Sequence, residues 1–295
     1  MSLSYEKLKG RPVTFLGLFG VTVVQFEEIM KAFTPLWERQ VLGAYKRPGR
    51  PFKLGIEEMV LIVLLYYRSY ATHLFISFLF GVDDSRICRV MRKVEPVLAQ
   101  VVSIPKERQL SQREIESLIM DATEQPIERP KKDDQKPYYS GKKKKHTVKT
   151  EIRITGESRI VHVSTTRPGA VHDFALYKQE SPVPKKSRVY VDSGYQGLDK
   201  VHTQTELPYK ASKNKPLDKE EKEYNRGLPS FRVRVENVLA QMKVFRILSD
   251  RYRNKRRRYN IKFQIIAGIV NIKNGFSHAW EKNIKTSLQL VICPL

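Results

Sequence analysis

Cysteine is almost absent from this chain, with only Cys88 and Cys293 among 295 residues. Two thiols give neither a disulfide framework nor a thiolate metal knuckle, and a reducing cytoplasm fits best. Long apolar runs are missing too. The longest uninterrupted one, Met59 to Tyr67, falls far short of the ~20 residues a spanning helix needs. A secretory signal is imitated without being completed. Lys7, Lys9 and Arg11 precede the largely apolar stretch Val13 to Val24, but Gln25, Phe26, Glu27 and Glu28 follow where a small-residue cleavage site would stand. No internal repeat is present. Acids are scarce against bases, 31 to 54, for a formal net charge of +23, so the surface should attract a polyanion. Nucleic acid is the leading partner. An anionic membrane is the rival, disfavoured because the basic residues are spread along the chain and do not flank an apolar helix face.

What is there suggests two domains, divided near residue 110. In residues 1–110, Val21 to Leu42 has helical apolar spacing and Arg47-Pro-Gly-Arg-Pro51 breaks it. Three further helical patterns follow, over Ile56 to Tyr70, Thr72 to Phe80 and Ser85 to about Glu95, with Gly81 in the turn before the last. Ser85 or Asp84 can cap that last helix, and Pro96 should kink or end it. Ile87, Val90, Met91, Val94 and Leu98 share one face, while Arg86, Arg89, Arg92 and Lys93 take the other. This is how a helix-turn-helix reader would be written, with Arg86, Arg89 and Lys93 toward the major groove. A three-helix bundle with a solvated basic face has the same pattern.

Residues 111–295 alternate strand and helix signals. Ser117 to Asp121 is a short apolar run closed by an acid, and Arg188 to Asp192 repeats that theme with a glycine turn after it. Lys131 to His146 holds seven Lys and two Asp with Tyr138 and Tyr139 interleaved, a basic loop able to grip phosphates through residues such as Lys142 and Lys143. Thr147 to Thr155 and Arg159 to Thr165 alternate as a hairpin around Gly156. Gly169 to Asp173 opens a helix in which Asp173 reads as an N-cap, not a ligand.

One further stretch, Asn225 to Asn260, sets Glu236 in a field of cations. At ~100° per residue Arg232, Glu236 and Lys243 lie within roughly 40° on a helix surface, beside an apolar stripe of Val235, Val238, Met242 and Phe245. Ion pairs on a solvated face give the same stripe. From Lys243 to Lys262 there are nine Lys or Arg, Arg253 and Arg256 among them, against one Asp, which suits a phosphate backbone. Two strand-end acids plus a helix acid are the hard oxygen ligands that Mg²⁺ takes.

The motifs DATEQPIERP, YYSGKKKKHT, PGAVHD, VDSGYQG, RVRVE with Lys243 beyond it, FRIL, YRN and AGIVN, in that order over about Asp121 to Asn271, resemble those of the DDE transposases of bacterial insertion sequences. The resemblance implies a ribonuclease-H-like mixed sheet flanked by helices, preceded by an all-α helix-turn-helix domain. It implies Asp121, Asp192 and Glu236 as the catalytic triad and as ligands of two Mg²⁺ ions, with Mn²⁺ as the alternative. The implied reaction is cleavage at the element's ends and joining of the 3′ hydroxyls to target DNA, by a nucleoid-associated protein acting as a homodimer on double-stranded terminal repeats and target. Where the related signature carries Tyr three residues before its Arg, this chain has Pro229, so the role of that Tyr on DNA is either absent or moved, with Tyr224 as the candidate. A domesticated endonuclease and a silent DNA-binding regulator remain the other readings.

Overall fold

The computed structural model describes residues 2–44, 51–105, 107–211 and 216–276. The break expected at Arg47 to Arg50 and the second cysteine, Cys293, lie outside the described residues. The chain divides into two compact units. One comprises the residues up to Ile104, Met242–Asp250 and the chain from Ile261 on; the other comprises Pro105–Gln241 with Arg251–Asn260.

The first unit opens with α1 (Tyr5–Lys9), α2 (Pro12–Phe19) and α3 (Val23–Trp37), the last prolonged by a π-turn over Glu38–Leu42. The apolar stretch that imitates a signal is split here. Gly20, at φ 74°, ends α2, and Thr22 with Gln25 forms a reciprocal capping box that starts α3 on a new axis, 61° away. No single helix among the described residues is long and apolar enough to cross a membrane. Next come α4 (Ile56–Ser69), α5 (His73–Phe80) and α6 (Asp84–Val101). Thr72 caps α5 by accepting from the Phe75 N–H, and Gly81, at φ 63°, makes the turn into α6.

In α6 the apolar face is the expected one, since Ile87, Val90, Met91, Val94 and Leu98 are buried. Its two ends differ from expectation. Asp83 occupies the N-cap position and makes no side-chain cap bond, so neither Ser85 nor Asp84 is the cap. The helix also continues through Pro96 to Val101. Burial of Val97, Leu98 and Val101, each side chain contributing ~1.5–3 kcal/mol, offsets the ~3 kcal/mol that an interior proline costs.

The second unit holds a seven-stranded mixed sheet. Its elements in order are β1 (Ser117–Pro126), α7 (Gln135–Tyr138), β2 (Tyr139–Ser140), β3 (Lys145–Thr155), β4 (Ile160–Val163), β5 (Arg167–Pro168), α8 (Asp173–Tyr177), β6 (Arg188–Tyr190), β7 (Thr205–Glu206), α9 (Lys219–Gly227) and α10 (Pro229–Lys243). The strand order is β2-β3-β1-β6-β7, with β4 and β5 also paired to β3. β3 and β4 form the antiparallel hairpin expected around Gly156, β3 runs antiparallel to β1, and β1, β6 and β7 are parallel. This α/β arrangement of a mixed sheet with flanking helices, after a helical region, is the fold class that the resemblance implies.

The stretch Lys131 to His146 is more ordered than a basic loop. It contains a 3₁₀ turn at Lys132–Asp134, then α7 and the β2–β3 hairpin, whose tip carries Lys144 at φ 53°. One face of the sheet packs a core of Leu118, Met120, Val189, Val191, Tyr177 and Tyr195. By alternation Ile119 and Asp121 of β1, and Tyr190 of β6, belong to the other face. There α10 docks, Phe231 stacking on Tyr190 with ring centroids 4.0 Å apart and planes 10° from parallel. Pro229 is the first residue of α10, a position whose N–H has no partner within the helix, so proline costs nothing there.

The last of the described elements is α11 (Tyr259–Lys273). A cut of the sequence near residue 110 assigns this helix to the second segment, but from Ile261 on it packs in the first unit. A Cβ on Gly268 would meet the Val102 carbonyl oxygen at 1.7 Å, so only glycine allows the two backbones to approach this closely. Buried Lys262 of α11 reaches Glu95 of α6 at 2.7 Å, and the Tyr67 hydroxyl donates to the same carboxylate oxygen at 2.9 Å.

Candidate active site

The parallel register pairs Ile119 with Tyr190, so Asp121 and Asp192 each stand two residues further along adjacent strands. β6 ends at Tyr190 while β1 runs on to Pro126, which uncovers one side of β1 where Asp121 sits. The motif Val191-Asp-Ser-Gly-Tyr195 then turns sharply. Val191 stays in the core, the Asp192 carboxylate accepts from the Gly194 N–H at 2.8 Å, and Tyr195 is fully buried. The Tyr195 hydroxyl donates to Glu151 at 3.1 Å, and burial, reinforced by the Glu151 charge, lifts it well above the ordinary tyrosine range, so it remains a donor. Glu151 is held in turn by Arg153, whose guanidinium also reaches Glu107 at 3.2 Å. The turn that presents Asp192 is thus anchored by a buried ionic chain on the core side of the sheet.

Asp121 shows the electrostatic cost of this arrangement. Burial first, and the Asp192 charge second, push its carboxyl up to about 6, with a further contribution from Asp173; the Ala122 N–H and the Arg232 guanidinium oppose the rise. Two neighbouring carboxylates, of which Asp121 is reluctant to ionise, are hard oxygen donors suited to a divalent cation. The set is not a closed cage. Among the described residues no group of three or more His, Cys, Asp or Glu is arranged to hold a metal.

Of the expected triad, the structure brings Asp121 and Asp192 together and leaves Glu236 apart. Glu236 projects from α10 with about half its side chain exposed and pairs with Arg232, four residues before it, at 3.3 Å. Arg232 therefore contacts the helix acid and is also near enough to Asp121 to hold its carboxyl down. Val235, Val238 and Met242 of the apolar stripe are buried, and Phe245 is buried just past the helix end. Lys243 is the exposed last residue of α10.

The remaining cations expected on DNA are dispersed. On α6, Arg86 is half-buried, exposed Arg89 donates to the Ser85 hydroxyl at 3.2 Å, and the Lys93 ammonium lies 4.9 Å from the Phe52 ring centroid. Lys142 and Lys143 are exposed at the β2–β3 tip. Arg253 and Arg256 line a cleft of about 440 Å³ with Arg129, Lys255 and Arg257, and Arg256 lies over the Tyr138 ring at 4.3 Å. Tyr224 donates its hydroxyl to Glu206 and meets Tyr209 edge-on, so its polar end is engaged within the fold.

Asp173 departs from its sequence reading. His172 is the N-cap of α8, and Asp173 is the first helical residue, its carboxylate turned to Lys149 at 2.8 Å. Lys149 is buried, lies opposite Glu124 in the β1–β3 register, and meets that acid at 3.4 Å. The available signal was the alternation Lys149, Glu151, Arg153 at period two on β3, three charges of alternating sign on one strand face.

Residues 120–271 match the model of the DDE superfamily endonucleases, and residues 52–104 match that of the helix-turn-helix of DDE superfamily endonucleases. A probable transposase for insertion sequence element IS702 of Microchaete diplosiphon is 41% identical over 233 residues, which cover 77% of this chain and 83% of that protein. A transposase candidate for insertion sequence element IS112 of Streptomyces albus G is 27% identical over 209 residues, 69% of this chain and 75% of that protein. With this fold, these strand-end acids and these matches, the chain belongs to the DDE superfamily of endonucleases, in its insertion-sequence transposase branch, and carries that superfamily's helix-turn-helix.

Proposed function

We propose that the protein cuts DNA at the ends of its insertion sequence and joins the freed 3′ hydroxyls to target DNA, with Asp121, Asp192 and Glu236 as the acids of the site. The observation that carries this reading is the parallel pairing of β1 and β6, which presents Asp121 and Asp192 side by side where β6 stops. Divalent cations, two Mg²⁺ or Mn²⁺, would supply Lewis-acid activation of the attacking oxygen and neutralisation of charge at the leaving one. Asp121 and Asp192 would hold them. Glu236 would join by exchanging Arg232 for the metal, a rotamer change that its exposure allows.

The protein's other residues bind and orient. Arg232, Lys243, Arg253 and Arg256 would grip the strand entering the site, and Lys142 and Lys143 would reach a flanking phosphate. Residues 1–110 would read the terminal repeat through Arg86, Arg89 and Lys93 of α6, and residues 111–295 would carry the chemistry, in a homodimer at the nucleoid. Asp192→Asn tests the assignment. It should abolish Mg²⁺-dependent cleavage of repeat-end DNA while leaving binding within a few fold; full cleavage by that variant would sink the reading.

A further inference from the structure

Asp173 has two oxygens with different neighbours. Oδ1 accepts from the Lys149 ammonium at 2.8 Å, and that ammonium also donates to the Val171 carbonyl at 2.8 Å and lies 3.4 Å from Glu124. Glu124 is further fixed by the Thr147 hydroxyl at 2.9 Å. Lys149 is therefore clamped by three oxygens, and one oxygen of Asp173 is fixed with it. Oδ2 points the other way. A Cβ built on Gly194 would fall 2.3 Å from Asp173 Oδ2 and 3.0 Å from Asp192 Oδ1, so both carboxylates crowd the one spot that only glycine leaves open.

We infer that Asp173 is a positioning residue of the Asp121–Asp192 site, adding a third negative charge beside Asp192 while Lys149 fixes its distance and partly offsets it. This rests on the reading of Asp121 and Asp192 as the cation-holding pair. Its physical basis is that the arrangement is poor as a stabilising ion pair alone. A carboxylate kept only to balance Lys149 would gain nothing from facing a second carboxylate across a glycine, since like charges brought close in a partly buried site repel. Glu124 already supplies Lys149 with a counter-charge. The crowding makes sense if a divalent cation neutralises Asp121 and Asp192 and Asp173 strengthens the field that draws it in, with no need for Asp173 to ligate.

The test uses the full-length protein and Ca²⁺ alone, a divalent probe that can bind without supporting turnover. Ca²⁺ is titrated by thermal shift into the unchanged protein, Asp173→Asn, Lys149→Gln and the control Asp192→Asn. Asparagine keeps the shape of Asp173 and its acceptor for Lys149 but removes the charge, so half-saturation should move to about tenfold higher Ca²⁺ with melting in EDTA unchanged or raised. Lys149→Gln removes the offsetting cation and should move half-saturation the opposite way, toward lower Ca²⁺, whatever its effect on melting. Opposite shifts from the two partners are what a purely structural pair would not give. A lowered melting temperature in EDTA with unchanged Ca²⁺ response in Asp173→Asn overturns the inference, as does failure of both variants to fold. If Asp192→Asn also leaves the Ca²⁺ response unchanged, the reading of the site itself fails; if only the Asp173 and Lys149 arms fail, that reading stands and Asp173 is a structural partner.

Discussion

Two charged clusters, one in each unit, differ in how their charges are matched. In the helical unit Lys262, Glu95 and Tyr67 join α11, α6 and α4, a cation meeting a carboxylate directly at 2.7 Å and a phenol donating to the same oxygen. In the sheet unit Asp121, Asp192, Asp173 and Glu124 gather with Lys149 and Arg232, and burial, with the charges of Asp192 and Asp173 added to it, lifts Asp121 to about 6. The first cluster satisfies the rule that a buried charge needs a partner. The second breaks it, and such breaches concentrate where a protein does chemistry. Charge balance separates them.

The largest expected effect breaks the matched cluster. Glu95→Leu removes the carboxylate that meets the buried Lys262 ammonium and should cost about 3–5 kcal/mol by urea unfolding, whereas Glu95→Leu combined with Lys262→Met should recover much of that loss. A double variant no more stable than the single one would show that the pair is not what α6 and α11 depend on. The opposite face of the same helix sharpens the contrast. Arg89 is exposed, so Arg89→Ala should leave stability within about 0.5 kcal/mol yet remove ~1–3 kcal/mol of preference for terminal-repeat over random DNA in competition binding. Equal loss on both DNAs would reduce Arg89 to a phosphate contact.

Much of this was legible because it is local. The helices α4, α5 and α6, the Gly81 turn and the two strand-end acids follow from periodicity and turn chemistry within about twenty residues. Pro96 misled because propensity lost to burial, Val97, Leu98 and Val101 being drawn into the core. Asp173 misled for a different reason. A residue after a turn and before a helix reads as a cap, and only the β1–β3 register, which sets Lys149 opposite Glu124, shows that its carboxylate is claimed elsewhere. The return of α11 to the helical unit was equally invisible, since Gly268 and Lys262 have meaning only beside Val102 and Glu95, far away in sequence.

A smaller effect, on Asp121, has a sign that a structural cluster cannot give. Asp121 is raised in the folded protein above its ordinary value near 3.8, so the fold holds that proton more tightly than the unfolded chain does. The resulting stability is present below pH ~4 and is lost as pH rises through about 6, where Asp121 ionises beside Asp192. Melting of the full-length protein and of Asp121→Asn in EDTA, compared from pH 4 to pH 8, is the direct test. The variant should melt higher than the unchanged protein at pH 8, by on the order of 3 °C for ~1 kcal/mol of relieved burial cost and repulsion. That advantage should vanish toward pH 4 and be erased or reversed when Mg²⁺ replaces EDTA. A variant that melts lower at pH 8 in EDTA, with no response to Mg²⁺, would make Asp121 an ordinary structural acid and contradict the claim that the unmatched cluster is the active site.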